Sequence, residues 1–407
     1  MPRPHDSIHR DQKRPSRTPA CLSLLFAALV IAPAAETAAQ VCPGTTVATG
    51  LRIPLGMAQS SLGNLIVAES GTAVLHSGRI SILSSDGGRR TLIEGLPSGP
   101  NDVGDPSGPA GIAMRGRTAY VLIGGGDSVL PGPIPTSHLP NPNVSSPLFS
   151  SVLAIHFSAS VEKTTAGFTL SPADQQTLAN GEAVTLSNGR GDTIQIELVT
   201  NFPDYVQRTD IPTLVRASNP FALVVAGNHL YVTDGSRNLV WEVDIPSGTH
   251  ASLTEFAPVV NPLFGVPGLP GGPTVEAVPT GIAYVDQQLL VTLFRGLPFP
   301  PNVSTVMQVD PSTGAQTPFI SGLKTAIGVI QTKDLADVDY LVLQHSSGGG
   351  PFFGGPGVVL RFESPALAPT VLANCLTRPS SMVFDENTGT LYVAEIGGRV
   401  VALSIGS

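Results

Sequence analysis

Two residues beyond a recurring valine, the chain carries a column of side chains that could do chemistry. After Val67, Val121, Val232, Val291, Val342 and Val393 come Glu69, Ile123, Asp234, Leu293, Gln344 and Glu395, and His345 adjoins Gln344. Carboxylate and amide oxygens brought to one place form a hard-ligand set for a cation such as Ca²⁺. Two carboxylates in unlike surroundings also form an acid and base pair. The same residues have a third use: an acidic side chain at a turn bonds backbone N–H groups of its own segment. The pattern favours this structural use. The ligand or metal candidates are therefore Glu69, Asp234, Gln344, His345 and Glu395, with no catalytic residue assigned.

The elements that must position them are strands of a repeat. Six short apolar runs, mostly opened by proline, begin at Pro54, Pro109, Pro220, Pro279, Thr325 and Pro379. In five copies the proline precedes the valine by 12 to 14 residues, and the Thr325 copy needs 17. Repeats of this kind build propellers or solenoids. Each copy reads as four strands. The valine strand, such as Leu230-Tyr-Val-Thr233 or Leu391-Tyr-Val-Ala394, has the β-branched and aromatic content of a buried pleat. Third strands follow at 80–83, 152–155, 239–243, 306–309, 358–362 and 400–403. Fourth strands follow at 91–94, 253–256, 318–321 and 370–373. The sixth copy lacks a fourth strand, and Thr46-Val-Ala-Thr-Gly-Leu51 resembles the missing piece. The expected fold is all-β, a six-bladed β-propeller closed by the N-terminal strand, which leaves no free sheet edge. Gln344, Glu395 and Glu69 then share one arc of the channel mouth.

Two segments break the rhythm. The second copy is swollen by insertions at about 124–151 and 158–201, with a short helix expected at 171–178 under a Ser171 cap. A Pro/Gly-rich loop runs from 258 to 279, and a smaller one from 348 to 357. Long loops on a rigid scaffold are where partners and ligands are met.

Bulk properties narrow the class. The 407 residues are 42% hydrophobic and 13% charged, with 44 Gly and 38 Pro, which suits many short strands joined by turns. A net charge of −8 argues against nucleic acid and against an anionic membrane surface. Arg10, Lys13, Arg14 and Arg17 precede an apolar run from Ala20 to Ala32 and small residues at Thr37-Ala-Ala39. Residues 1–39 therefore read as a signal peptide, and 40–407 as an exported domain, periplasmic or extracellular, with no membrane span after cleavage. Export leaves Cys42 and Cys375, a candidate disulfide where oxidising conditions allow it.

Other chemistry-bearing motifs are missing: no G-x-S-x-G elbow, H-E-x-x-H helix, C-x-x-C, phosphate loop or G-x-G-x-x-G. The histidines lack metal-ligand spacing. Asp385-Glu-Asn-Thr-Gly389 reads as a hairpin turn, and Trp241 as a core residue.

The phrases Ser218-Asn-Pro-Phe-Ala-Leu223, His229-Leu-Tyr-Val-Thr-Asp234, Val260-Asn-Pro-Leu-Phe264, Glu276-Ala-Val-Pro-Thr-Gly-Ile282 and Gly296-Leu-Pro-Phe-Pro-Pro301 resemble the ScyD/ScyE family. The resemblance spans most of 40–407 and departs at Thr164 to Leu198. It implies an exported six-bladed propeller and brings no catalytic residue with it. More distantly, the pattern is similar to NHL-type repeats and to sugar-lactonase and aldose-dehydrogenase propellers. The expected function is a monomeric binding scaffold for a small molecule, glycan or protein. The alternative is a metal-dependent propeller enzyme of the lactonase or sugar-dehydrogenase type, with Ca²⁺ as its candidate cofactor.

Overall fold

The computed structural model describes residues 44–405, apart from 73, 85–86, 135–136 and 334–337. All of these belong to the unit Gln40–Ser407. The signal-peptide residues and Cys42 lie outside the described residues.

The chain is all-β, built from many small antiparallel sheets. Among the described residues, six sheets repeat one antiparallel four-strand order, and in four of them each of the four strands pairs with the next in sequence. Their inner strands are Pro54–Gln59, Pro109–Arg115, Pro220–Ala226, Pro279–Val285, Ala326–Lys333 and Pro379–Asp385. Proline suits this place because an edge strand does not need every N–H for a ladder. Each inner strand lies against the inner strand of the following sheet, and Pro379–Asp385 lies against Pro54–Gln59. The sixth sheet takes its outer strand from Gly44–Ala48, which pairs antiparallel with Arg399–Ser404.

The core is divided into slabs, one for each pair of successive sheets. Ile66, Ile80 and Leu92 of the first sheet meet Val121, Leu153 and Ile196 of the second. Leu122 and Val152 meet Val232 and Trp241 of the third. The period of two along a strand explains the arrangement, since neighbouring residues point to opposite faces. Ile66 joins the slab ahead of its sheet, and Val67 the slab behind it. Val121, Val232, Val291, Val342 and Val393 likewise face the preceding sheet. All six repeated valines are fully buried. Burial on both faces is why these strands read as unbroken apolar runs.

The swollen second copy differs from its expected outline. Thr193–Asn201, within the segment read as an insertion, pairs with Ser151–His156 and serves as the fourth strand of the second sheet. The length of the intervening sequence hid it. Two helices fill that interval, Ala159–Thr164 and Pro172–Ala179, the second opened by a Ser171 capping box with Asp174. Glu162 pins the first helix to the first sheet. Fully buried, it accepts bonds from Ser60, Asn64 and Arg117. Beyond the repeat, Val129–Pro131, His138–Pro140, Val215–Ala217 and Tyr205–Gln207 form a separate small sheet. Among the described residues no helix is long and apolar enough to cross a membrane.

Inner strands approach one another at small residues around an open cavity of about 110 Å³ lined by Leu55, Met57, Ile112, Leu223, Ile282 and Met382. A side chain on Gly281 would sit 2.6 Å from Gly328 Cα and from the Ile327 carbonyl. Replacing Gly281 with alanine should cost about 1–3 kcal/mol through overpacking. Gly272→Ala, with nothing within 4 Å, is the control that should leave the denaturant midpoint unchanged. Equal midpoints for the two variants would show that the inner strands are not tightly apposed.

Candidate functional site

The column of polar residues sits where each second strand ends. There, every one of the six sheets forms the same backbone bond. The N–H three residues past the valine donates to the carbonyl just before the inner strand: Ser70 to Ile53, Gly124 to Gly108, Gly235 to Asn219, Phe294 to Val278, His345 to Thr325 and Ile396 to Arg378, at 2.8–3.2 Å. Four sheets add a side chain. Glu69 accepts from Arg52 N at 2.6 Å, Asp234 from Asn219 N at 2.8 Å, Gln344 from Lys324 N at 2.7 Å and Glu395 from Thr377 N at 2.7 Å.

The remaining oxygens are also engaged. Arg79 binds both Glu69 oxygens, at 2.8 and 2.5 Å, and Ser81 adds a further bond. Arg399 Nε donates to Glu395 at 2.5 Å. Asp234 accepts from Arg237 N at 3.1 Å and from Trp241 Nε1 at 3.3 Å. Burial pushes the Asp234 carboxyl up, against the lowering effect of these donors. The column thus places its members in separate sheets, each tied to its own leading loop. Among the described residues no group of three or more His, Cys, Asp or Glu is placed to hold a metal ion. Cys375 is disulfide-bonded.

His345 faces an aromatic cluster that sequence reasoning missed. Its ring lies edge-on to Phe294 and Phe353, with centroids 5.8 and 5.1 Å away, and Phe299 stacks on Phe353 at 4.4 Å. Arg378 lies over Phe353 at 5.0 Å. Nδ1 of His345 sits 2.9 Å from the Pro379 carbonyl, which can only accept, so the neutral ring carries its proton there. Desolvation holds the imidazole below its ordinary value, more than this bond raises it. The scattered Phe-Pro phrases carried the signal, but nothing in their spacing joins the loop of Phe294 and Phe299 to that of Phe353.

Two open clefts flank this region. One, of about 630 Å³, is lined by Lys324, Gln344, Ser347 and Asn302 between the fourth and fifth sheets. Lys324 Nζ donates to the Gly348 and Gly350 carbonyls, which anchors the 348–357 loop. The other, of about 610 Å³, has the 205–217 hairpin as one wall, Asn219, Ser236 and Asn238 as its floor and Glu276 opposite. Arg216 Nε donates to the Ser236 carbonyl at 2.6 Å, and Arg216 reaches Glu276 at 3.2 Å. Asn238 also donates to Glu276 and accepts from Val278 N at 3.0 Å. His138 lines the cleft and meets Asp102 at 3.0 Å. Asp234 lies beneath the floor and holds it through Asn219 and Arg237. Trp241, buried beside it, stacks on Phe202 at 5.3 Å.

No family model matches the chain, and no curated protein does. Among solved structures, the chain is similar to a putative oxidoreductase (glucose dehydrogenase) from Thermus thermophilus, at 15% identity and a TM-score of 0.48, covering 88% of this chain and 98% of that one. It is similar to a gluconolactonase from Xanthomonas campestris at 12% identity and a TM-score of 0.47, covering 90% and 91%. It is also similar to a Trypanosoma rangeli sialidase mutant at 10% identity and a TM-score of 0.45, covering 90% and 59%. These are β-propeller proteins. At such scores the likeness carries no argument about activity.

Two measurements follow from this geometry. Glu69→Ala leaves the buried Arg79 guanidinium without its partner and should cost about 3–5 kcal/mol in urea unfolding. Glu395→Ala should cost less, because Arg399 is partly exposed. Equal, small losses would mean that neither carboxylate holds its loop. For His345, a folded value below the unfolded imidazole value near 6.5 means that the unfolded chain binds more protons under acid conditions. Its contribution is present above that value and is lost as pH falls through the folded one. His345→Gln should therefore lose less stability between pH 7 and 5 than the parent; parallel pH profiles would contradict this.

Proposed function

We propose that the protein is an exported, monomeric, six-bladed β-propeller of the ScyD/ScyE type, closed by Gly44–Ala48, that acts as a binding module. The closure rests on the cycle of inner-strand contacts and on the pairing of Gly44–Ala48 with the last strand. Export rests on the basic and apolar N-terminal sequence. Cys42 is the proposed partner of Cys375, an assignment that rests on the sequence.

One observation carries the functional reading. The column carboxylates are buried and committed to their own loops, whereas Arg216 and Glu276, paired with each other, stay partly exposed beside Asn238 and His138 along an open volume where a ligand can exchange with their present partners. Planar, directional donors and acceptors of this kind suit the hydroxyl groups of a small polar molecule or glycan. Exposed Phe264, Val266, Leu297 and Phe352 add apolar loop surface that a protein partner would cover.

The alternative, a metal-dependent lactonase or sugar-dehydrogenase, requires Glu69, Asp234 and Glu395 to exchange their present partners for a cation. Binding of the purified protein to a panel of soluble oligosaccharides separates the two readings. A saccharide that binds should lose about ten- to a hundredfold in affinity with Arg216→Ala or Glu276→Ala, the worth of a hydrogen bond to a charged group. Lactone hydrolysis that needs Ca²⁺ and disappears with Glu69→Gln and Glu395→Gln would replace the binding reading with the enzymatic one.

A further inference from the structure

The fifth sheet breaks the charge pattern of the column. Glu69 and Glu395 each pair with an arginine of their own sheet, Arg79 and Arg399. Gln344 holds the same place in the fifth sheet, and its oxygen accepts the same kind of bond, from Lys324 N at 2.7 Å. That bond fixes the amide, since only its oxygen can accept from an N–H. Nε2 is then left with two N–H groups and no hydrogen bond to a described residue. Gln344 is 7% exposed and lines the cleft of about 630 Å³. A nearly buried side chain thus presents a free donor to open space.

Lys324, bonded to Gln344 through its main chain, adds a charge to the same cleft. It is 4% exposed and lines the cleft too. Its Nζ donates to the Gly348 carbonyl and, at 2.7 Å, to the Gly350 carbonyl. An ammonium carries three N–H groups, so one remains. Two neutral carbonyls do not cancel the charge, and none of the described ion pairs includes Lys324. Burial holds its ammonium below the ordinary lysine value. Among the described residues no Asp or Glu lines the cleft. Beside its wall at Pro301 and Asn302, the Val303 carbonyl accepts from Arg295 Nε at 3.0 Å. Arg295 is a second buried cation outside the described ion pairs, and its Nη1 has no partner. Phe319, Leu360, Phe362 and Leu367 supply the apolar part of the lining.

We propose that this cleft binds a small organic monocarboxylate, its charged end facing Lys324 and Gln344 and its apolar body lying along Phe319, Leu360 and Phe362. An ionised carboxylate only accepts, so it matches two residues that have only donors left. Its single negative charge answers the unpaired ammonium, which a buried site otherwise holds at a cost. A neutral hydroxyl leaves that charge unmatched, and a metal cation is repelled by it. The site is separate from the cleft beside the 205–217 hairpin and does not rest on the saccharide reading of that cleft.

The test is calorimetric titration of the purified protein with sodium hexanoate, and with 1-hexanol as the uncharged match. Hexanoate should bind with a Kd of about 1 mM or tighter, a reasonable affinity for so small a ligand. Hexanol has the same body without the charge and should bind about tenfold more weakly or worse. Lys324→Met should lose hexanoate binding by a similar factor. Because that change also frees the 348–350 loop, Gln344→Glu is the second variant. It keeps an oxygen for Lys324 N, as Glu69 and Glu395 do for their own loops, and sets a negative charge on the cleft. It should lose hexanoate binding by about tenfold or more while melting at or above the parent temperature. No binding of hexanoate by the parent at about ten times the expected Kd would overturn the proposal. So would hexanol binding as tightly as hexanoate, or unchanged hexanoate binding in Gln344→Glu, which would place the anion elsewhere.

Discussion

One backbone hydrogen bond, made in all six repeating sheets, sets the position of everything around it. It fastens the end of the second strand to the residue just before the inner strand, and so fixes where each inner strand begins. The receiving residue is often held in the left-handed region: Ile53, Val278, Thr325 and Arg378 have φ between 43° and 54°. Such a backbone costs roughly 1–3 kcal/mol per residue and persists only where its surroundings over-determine it. The bond, a following proline after Ile53, Val278 and Arg378 and, in four sheets, a buried polar side chain supply that constraint. From this start the inner strands bring Gly56, Gly111 and Gly281 against their neighbours, at separations that leave no room for a Cβ.

The same constraint explains the chemistry of the column. A carboxylate in the low-dielectric end of a sheet must be matched by donors. Glu69 has a bidentate arginine, Glu395 has Arg399, and Asp234 has an indole and two backbone N–H groups. Matched so fully, these groups resist moving to a new ligand. Diversity is left to the loops, where side chains can change without disturbing the anchor. The cleft beside the 205–217 hairpin follows this division: its walls are loop residues, and its floor is propped by Asp234 from below.

Much of this was legible in the chain itself. The proline and valine spacing located each inner and second strand, because both faces of those strands are buried and the pattern cannot drift. The turn at Asp385 to Gly389 was readable as well, and there the Gly389 N–H closes on the Asp385 carbonyl at 2.9 Å. Thr193–Asn201 was not readable as a fourth strand: nearly forty residues separate it from its partner, and its exposed face carries polar residues. The site was legible only as a list of residue types. Whether Glu69 meets a cation or Arg79 depends on a cross-strand register, Glu69 opposite Arg79, that no single-chain pattern specifies. Phe294, Phe299 and Phe353 likewise meet through loop packing that no single-chain pattern specifies.

The pairing of Gly44–Ala48 with Arg399–Ser404 has a consequence for the order in which the molecule is assembled. Residues 46 and 401 become neighbours across nearly the whole described chain, whereas four of the other five sheets form from strands close in sequence and the second closes over a far shorter interval. During synthesis those four can zip as each hairpin emerges, and the second once its insertion has been made, since shorter loops close at lower entropic cost. The first strand must wait, its edge unpaired, until the final strand has been made. The last stitch is therefore the slowest and the most exposed step, and a nascent chain released before it carries an open edge at which a second copy could pair instead.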